Sequence, residues 1–90
     1  MASYRLLIKK SAQKEIRKLP SNYRIKIINR ITALEKNPLT DTSEKIKGLE
    51  DVYRIRYGVY RIVYSLQKSE LVVVVVKVSH RKDSYKNLQV

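Results

Sequence analysis

The segment from Val52 to Tyr64 alternates between two kinds of side chain on both sides of Gly58. Tyrosine or isoleucine occupies every second position: Tyr53, Ile55, Tyr57, Tyr60, Ile62 and Tyr64. The positions between them hold Arg54, Arg56, Arg61 and Val63. A period of two is typical of β-strands. Because glycine tolerates positive φ, Gly58-Val59 predicts a two-residue hairpin turn with glycine at its first central position.

This turn fixes which residues face each other across the hairpin. Arg56 is predicted to lie opposite Arg61, and Arg54 opposite Val63, with the tyrosines and isoleucines on the other side of the ribbon. Two opposed arginines repel each other unless an anion lies between them, and guanidinium groups match phosphate geometry. We therefore interpret Arg54, Arg56 and Arg61, the arginine face, as a phosphate-binding surface. The alternative is a solvated polar face whose charges prevent aggregation.

The region before the hairpin predicts a short strand followed by two helices. The strand covers Tyr4 to Ile8. Ser11 is a candidate cap for the first helix, which Pro20 ends, and Ser21 for the second, which Asn37-Pro38 ends. The apolar positions recur at helical spacing: Ala12, Ile16 and Leu19 in the first helix, and Tyr23, Ile27, Ile28, Ile31 and Leu34 in the second. The short connection predicts an antiparallel helical hairpin.

Two further segments complete the predicted fold. The polar stretch from Pro38 to Glu44 is predicted to be a surface loop. The run from Leu71 to Val78 is apolar on both faces, which predicts a central strand of the sheet. Strands and a helical pair in this order indicate an α+β fold, with the helices packed on a small, antiparallel-rich sheet.

The charge of the chain predicts a polyanionic partner. The 90 residues suit a single domain, and they carry a formal net charge of +12 with a pI near 10.1. Nucleic acid is the leading candidate, ahead of an anionic membrane surface or an acidic protein, and a solubilising basic coat is the alternative. With no cysteine and one histidine, no metal or other cofactor is expected. The N-terminus does not resemble a secretory signal, and the apolar run from Leu71 to Val76 is too short to span a bilayer, so we expect a cytoplasmic protein.

The segment after the valine-rich strand concentrates groups that can take part in chemistry. His80 is a candidate acid or base at neutral pH, and Arg81, Lys82 and Tyr85 follow it closely. Catalytic groups are common at strand ends and in loops. A purely structural histidine is the alternative.

These residues together resemble the RelE/ParE superfamily of toxins from type II toxin–antitoxin systems. The resemblance covers almost the whole chain and is most specific between Arg54 and Tyr64, with Lys47-Gly48-Leu49 before it and His80-Arg81 and Tyr85 after it. It implies a single βααβββ toxin domain over residues 1–90 with a short C-terminal extension. It also implies a hetero-oligomer with a cognate antitoxin that masks the basic face.

The ribonuclease branch of this superfamily implies roles for individual residues. Its chemistry is attack of the RNA 2′-hydroxyl on the adjacent phosphate of messenger RNA bound to the ribosome and its rRNA, without a metal. The catalytic set implied is Arg56, Arg61, His80, Arg81 and Tyr85. The expected substrate-binding residues are Arg54, Lys47, Lys77 and Lys82. Because Arg56 stays protonated where some relatives have lysine, the proton acceptor is either His80 or Tyr85.

Two other functions remain open from the sequence. The gyrase-poisoning branch of the superfamily shares the fold and binds a topoisomerase without cutting RNA, but His80-Arg81 and Tyr85 favour the nuclease. The second is a nucleic-acid-binding or co-repressor module without catalysis. Loss of turnover with retained RNA affinity after Tyr85→Phe would distinguish a nuclease from such a module.

Overall fold

A five-stranded mixed sheet carries two helices in the computed structural model, which describes residues 3–40 and 43–80. The elements in chain order are β1 (Arg5–Ile8), α1 (Lys10–Arg17), α2 (Ser21–Ala33), β2 (Ser43–Lys45), β3 (Val52–Tyr57), β4 (Tyr60–Gln67) and β5 (Val72–His80). The strand order is β1-β5-β4-β3-β2, in which β1 runs parallel to β5 and the other neighbours are antiparallel. The predicted α+β class is therefore confirmed. The predicted loop is wrong at Ser43 and Glu44, because these residues pair with β3 as a short edge strand.

The β3–β4 hairpin has the predicted register. Arg56 pairs with Arg61, and Tyr57 pairs with Tyr60 across the turn. Gly58 has φ +58°, whereas Val59 is not among the residues with positive φ. Positive φ at the first central position alone is the type II′ pattern, whose twist matches that of the flanking strands.

The core lies between the helices and the face of the sheet that carries the hairpin tyrosines. Its buried cluster contains Ala12, Ile16, Ile27, Ile31, Leu34, Ile55, Ile62, Tyr64, Leu66, Val73, Val75 and Val78. Tyr53, Tyr57 and Tyr60 pack against this cluster and are partly buried, as the alternation predicted. Ile28 was wrongly predicted to face the core and is 43% exposed. It follows Ile27 by one residue, which turns its side chain about 100° around the helix axis.

Both predicted helix caps are wrong. Ser11 is the second residue of α1, which begins at Lys10 as soon as β1 ends, and Lys9 precedes it without a side-chain cap. Pro20 is the capping residue of α2, because its carbonyl accepts the backbone N–H of Arg24 at 2.9 Å. Neither helix among the described residues is long and apolar enough to cross a membrane.

The valine-rich strand β5 is internal to the sheet, as predicted, and is longer than predicted. It lies between β1 and β4 and runs to His80. Its pairing with β4 shifts by one residue, since Val63 pairs with Lys77 and Tyr64 with Val75. Val76 is therefore the extra residue of a β-bulge, which reverses the alternation of side chains in the rest of the strand.

Candidate active site

Arg56 and Arg61 form the centre of the arginine face, on the side of the sheet away from the helices. They are the first pair after the turn-closing pair Tyr57–Tyr60, which makes them a non-hydrogen-bonded pair with Cα atoms about 4.5 Å apart. Arg56 is exposed and Arg61 is partly exposed. Two guanidinium groups that start this close can hold one phosphate between them, and such an anion relieves their mutual repulsion.

Arg54 lies on the same face and is partly neutralised by an acidic neighbour. Its Nη2 donates to Glu44 Oε2 at 3.2 Å, and the two residues are directly opposed in the β2–β3 pairing. The Glu44 side chain is 55% exposed, so solvent screens the ion pair, which contributes less than about 1 kcal/mol. Arg54 is thus next to the predicted site, but its charge is shared with Glu44.

Lys77 and Lys47 do not join the central pair in this structure. The Lys77 ammonium donates to Glu15 Oε2 of α1 at 3.0 Å, so an internal ion pair already engages it. Lys47 lies in the turn that precedes β3. Even the first residue of β3, Val52, is four residues from Arg56, or about 13 Å along the strand, and Lys47 comes before it in the chain. Their proposed contact with substrate remains a prediction.

His80 faces away from the arginine face. It pairs with Tyr60, and the two rings meet edge to face with centroids 5.7 Å apart. The Tyr60 ring also packs against the ring of Tyr23 in α2, with centroids 5.1 Å apart. Tyr60 and the His80 imidazole therefore both lie on the helix side of the sheet. The bulge at Val76 causes this orientation. Each residue after it points to the face of the sheet opposite to the one that regular alternation would give. The other predicted groups of this segment, Arg81, Lys82 and Tyr85, lie outside the described residues.

Two residues at this end of β5, Ser79 and Glu15, carried no predicted role. Ser79 pairs with Arg61 and therefore lies on the arginine face, where it is 4% exposed. Glu15 accepts the backbone N–H of Val78 at 2.9 Å in addition to binding Lys77. A signal existed for Glu15, since it is the only acidic residue of α1, whose other charged residues are all basic.

A buried tyrosine fixes the chain that leads into β2. The Tyr64 hydroxyl donates to the Pro38 carbonyl at 2.5 Å and lies 2.7 Å from the Ser43 hydroxyl. Burial raises the pKa of the Tyr64 phenol, the hydrogen bond from Ser43 opposes that rise, and the charge of Tyr53 adds to it. The arrangement positions Ser43, and with it the neighbouring Glu44 that pairs with Arg54.

Comparison with known proteins gives consistent results. The family model described as the ParE toxin of the type II toxin–antitoxin system parDE matches residues 6–85. A relative from Methanocaldococcus jannaschii, named as the toxin RelE1, is 30% identical in an alignment over 83 residues, and the alignment covers 89% of this chain and 92% of the relative.

Solved structures of RelE toxins share the fold. The archaeal RelE–RelB complex from Pyrococcus horikoshii OT3 matches with a TM-score of 0.79 at 28% identity, covering 91% of this chain and 99% of the other. The intact E. coli RelBE toxin–antitoxin complex matches with a TM-score of 0.78 at 29% identity, covering 90% and 100%. The chain therefore belongs to the RelE/ParE superfamily and is a toxin of a RelBE-like type II toxin–antitoxin system.

Proposed function

We propose that this toxin is a metal-independent endoribonuclease that acts in the cytoplasm and cleaves messenger RNA on the ribosome. The observation that carries the proposal is the directly opposed pair Arg56–Arg61, on the face of the sheet opposite the two described helices. The net charge of +12 supports a polyanionic substrate. The charge alone fits any polyanion, whereas the paired guanidinium groups favour a phosphodiester.

The proposed reaction is a transesterification within the RNA. The 2′-oxygen forms a bond to the adjacent phosphorus and the bond from phosphorus to the 5′-oxygen breaks, leaving a 2′,3′-cyclic phosphate and a 5′-hydroxyl. The proton of the 2′-hydroxyl goes to a base, and the departing 5′-oxygen takes a proton from an acid or from water. Arg61 stabilises charge on the phosphoryl oxygens, and Arg56 holds the same phosphate from the neighbouring strand. Arg54 and Arg81 hold neighbouring phosphates. Stabilisation of developing charge is usually the largest catalytic term in such sites.

Of the two candidate proton acceptors, we favour Tyr85. His80 contacts Tyr60 on the helix side of the sheet, away from the scissile phosphate proposed here. A tyrosine in the position that the family motif supports can accept or donate a proton and can also stack on a base. We expect Tyr85→Phe to lower single-turnover cleavage at least about a hundredfold, the low end of what general acid–base groups contribute, with RNA affinity unchanged. A weaker affinity with the same cleavage rate would instead mean that Tyr85 only binds RNA.

The proposed protein partner is a cognate antitoxin. The matched RelE structures from Pyrococcus horikoshii and E. coli are complexes of toxin with antitoxin. An acidic antitoxin segment would complement the basic surface of this toxin and mask the arginine face.

Primer extension on messenger RNA in a translating extract tests the proposal. Cuts that appear only with the toxin, in phase with ribosomes, support the nuclease. The matching family model is named for ParE, so gyrase inhibition is the competing function. Loss of DNA supercoiling by purified gyrase, with intact messenger RNA in the extract, would support that alternative. RNA binding without either effect would indicate a non-catalytic co-repressor module.

A further inference from the structure

Ser79 is a buried polar residue that the proposed reaction does not yet use. It is 4% exposed, and its hydroxyl oxygen has no hydrogen-bond partner among the described residues. It lies on β5 directly opposite Arg61, which faces Arg56 on the next strand. The orphaned hydroxyl and the paired guanidinium groups therefore share one face of three adjacent strands.

A buried hydroxyl without a partner is uncommon and costs stability. Nearly all buried polar groups in folded proteins make at least one hydrogen bond, and exceptions often mark a functional site. Most of β5 is valine, so an apolar side chain would suit the strand itself at this position. The hydroxyl therefore needs an explanation that packing does not supply.

The position of Ser79 suits contact with an anion held by the two arginines. The pairing puts its Cα about 5.5 Å from that of Arg61, because Arg61–Ser79 is the hydrogen-bonded kind of pair. Its neighbours on the same face, Arg61 and Lys77, have long side chains and are partly exposed. The serine side chain is shorter than these two, so its hydroxyl lies below the ends of its neighbours' side chains. Movement of the Arg61 guanidinium onto a phosphate would expose that hydroxyl.

We propose that the Ser79 hydroxyl donates a hydrogen bond to the RNA phosphodiester that Arg56 and Arg61 hold. The inference rests on the proposed function only in taking RNA as the ligand. The two guanidinium groups supply charge, and the hydroxyl supplies a short, neutral donor at the floor of the site. Because Ser79 lies on the β5 side of Arg61, its hydroxyl would hold the phosphate toward β5, over Arg61.

The test is binding of a cleavage-resistant oligonucleotide, a 2′-O-methyl RNA, to the full-length toxin and its variants. Ser79→Ala should weaken binding about tenfold, the effect of one hydrogen bond to a charged group. Ser65→Ala is the matched control. Ser65 is also buried and lies on β4, on the same face of the sheet as Ser79 and Arg61, but about 13 Å from Arg61 along the strand. Its affinity should stay within about twofold of wild type. Thermal unfolding should show Ser79→Ala to be at least as stable as wild type, since the variant loses only an unpaired hydroxyl.

A double-mutant cycle tests whether Ser79 and Arg61 contact the same phosphate. The effect of Ser79→Ala should shrink in an Arg61→Ala background, whereas independent contacts would give additive effects and overturn the shared-phosphate geometry. Unchanged affinity of a folded Ser79→Ala variant, or a wild-type toxin that does not bind the oligonucleotide, would also overturn the inference. Binding that depends on Ser79, in a toxin that leaves messenger RNA uncut, would instead contradict the nuclease and keep the inference.

Discussion

Replacing Glu15 with alanine should destabilise the toxin more than a surface ion pair can explain. β1 ends at Ile8, which lies opposite Val75 of β5. Beyond this point, the next backbone N–H of β5 that points toward the β1 side belongs to Val78. The Glu15 carboxylate accepts this N–H at 2.9 Å, where β1 would have paired had it continued. Val78 is 3% exposed, so its orphaned N–H would cost about 1–3 kcal/mol.

The second contact of Glu15 contributes less. Both side chains of the Glu15–Lys77 pair are about 30% exposed (29% and 30%), and the loss of such a pair costs at most about 1 kcal/mol. The sum is about 1–4 kcal/mol, or a fall in Tm of at least about 4 °C for a domain of this size. Glu15→Gln should cost only about 1 kcal/mol, because an amide oxygen can still accept the N–H of Val78.

Thermal unfolding followed by circular dichroism measures these differences. Glu44→Ala is the control, since it removes the exposed ion pair with Arg54 and leaves the edge of β5 intact. Its Tm should fall by no more than a few degrees. Equal Tm values for Glu15→Ala and Glu44→Ala would refute the reasoning that Glu15 replaces a missing strand.

Two further variants test the packing of the sheet. Ile55→Ala should cost about 2–5 kcal/mol in urea unfolding, because Ile55 is 2% exposed beneath the helices; a loss below about 1 kcal/mol would contradict this packing. Tyr64→Phe should cost about 1–2 kcal/mol near neutral pH through lost hydrogen bonds to Pro38 and Ser43. Burial raises the pKa of Tyr64, so the folded phenol keeps its proton to a higher pH than the unfolded phenol, whose pKa is near 10. The stability that the phenol contributes is therefore complete below about pH 10 and is lost as the pH rises through the folded pKa. The difference in unfolding free energy between wild type and Tyr64→Phe should therefore shrink above about pH 10, and an unchanged difference would contradict the assignment.

The hairpin was predictable from sequence because its determinants are local. The alternation around Gly58 sets the face of each residue, and the two-residue turn leaves one register. The buried tyrosine and isoleucine layer and the common side of Arg54, Arg56 and Arg61 both follow from that register.

The orientation of the C-terminal end of β5 was not predictable in the same way. Val73 and Val75 face the core, and continued alternation would have put Lys77 and Ser79 there too and His80 with the arginines. The bulge at Val76 reverses this arrangement. A run of valines has no alternation that could reveal the bulge, so only the pairing with β4 determines it.

Long-range partners were also beyond the sequence pattern. Glu15 and Lys77 are 62 residues apart, and no local rule connects them. Glu44 lies in a polar stretch whose short strand forms only because β3 offers it an edge. The helix caps failed for a related reason, since β1 leads into α1 without a loop and Pro20 takes the capping position of α2.

The most direct test of the paired arginines is the yield of ribosome-phased cuts in messenger RNA with Arg61→Ala. Arg5→Ala is the matched control, because Arg5 is an exposed arginine on the edge strand β1, paired with Val72 at the far end of β5. We predict at least about a hundredfold loss of cleavage for Arg61→Ala, the scale of removing one donor to a developing oxyanion, and no loss for Arg5→Ala. Equal cleavage by a folded Arg61→Ala variant and wild type would contradict a catalytic role for the arginine pair.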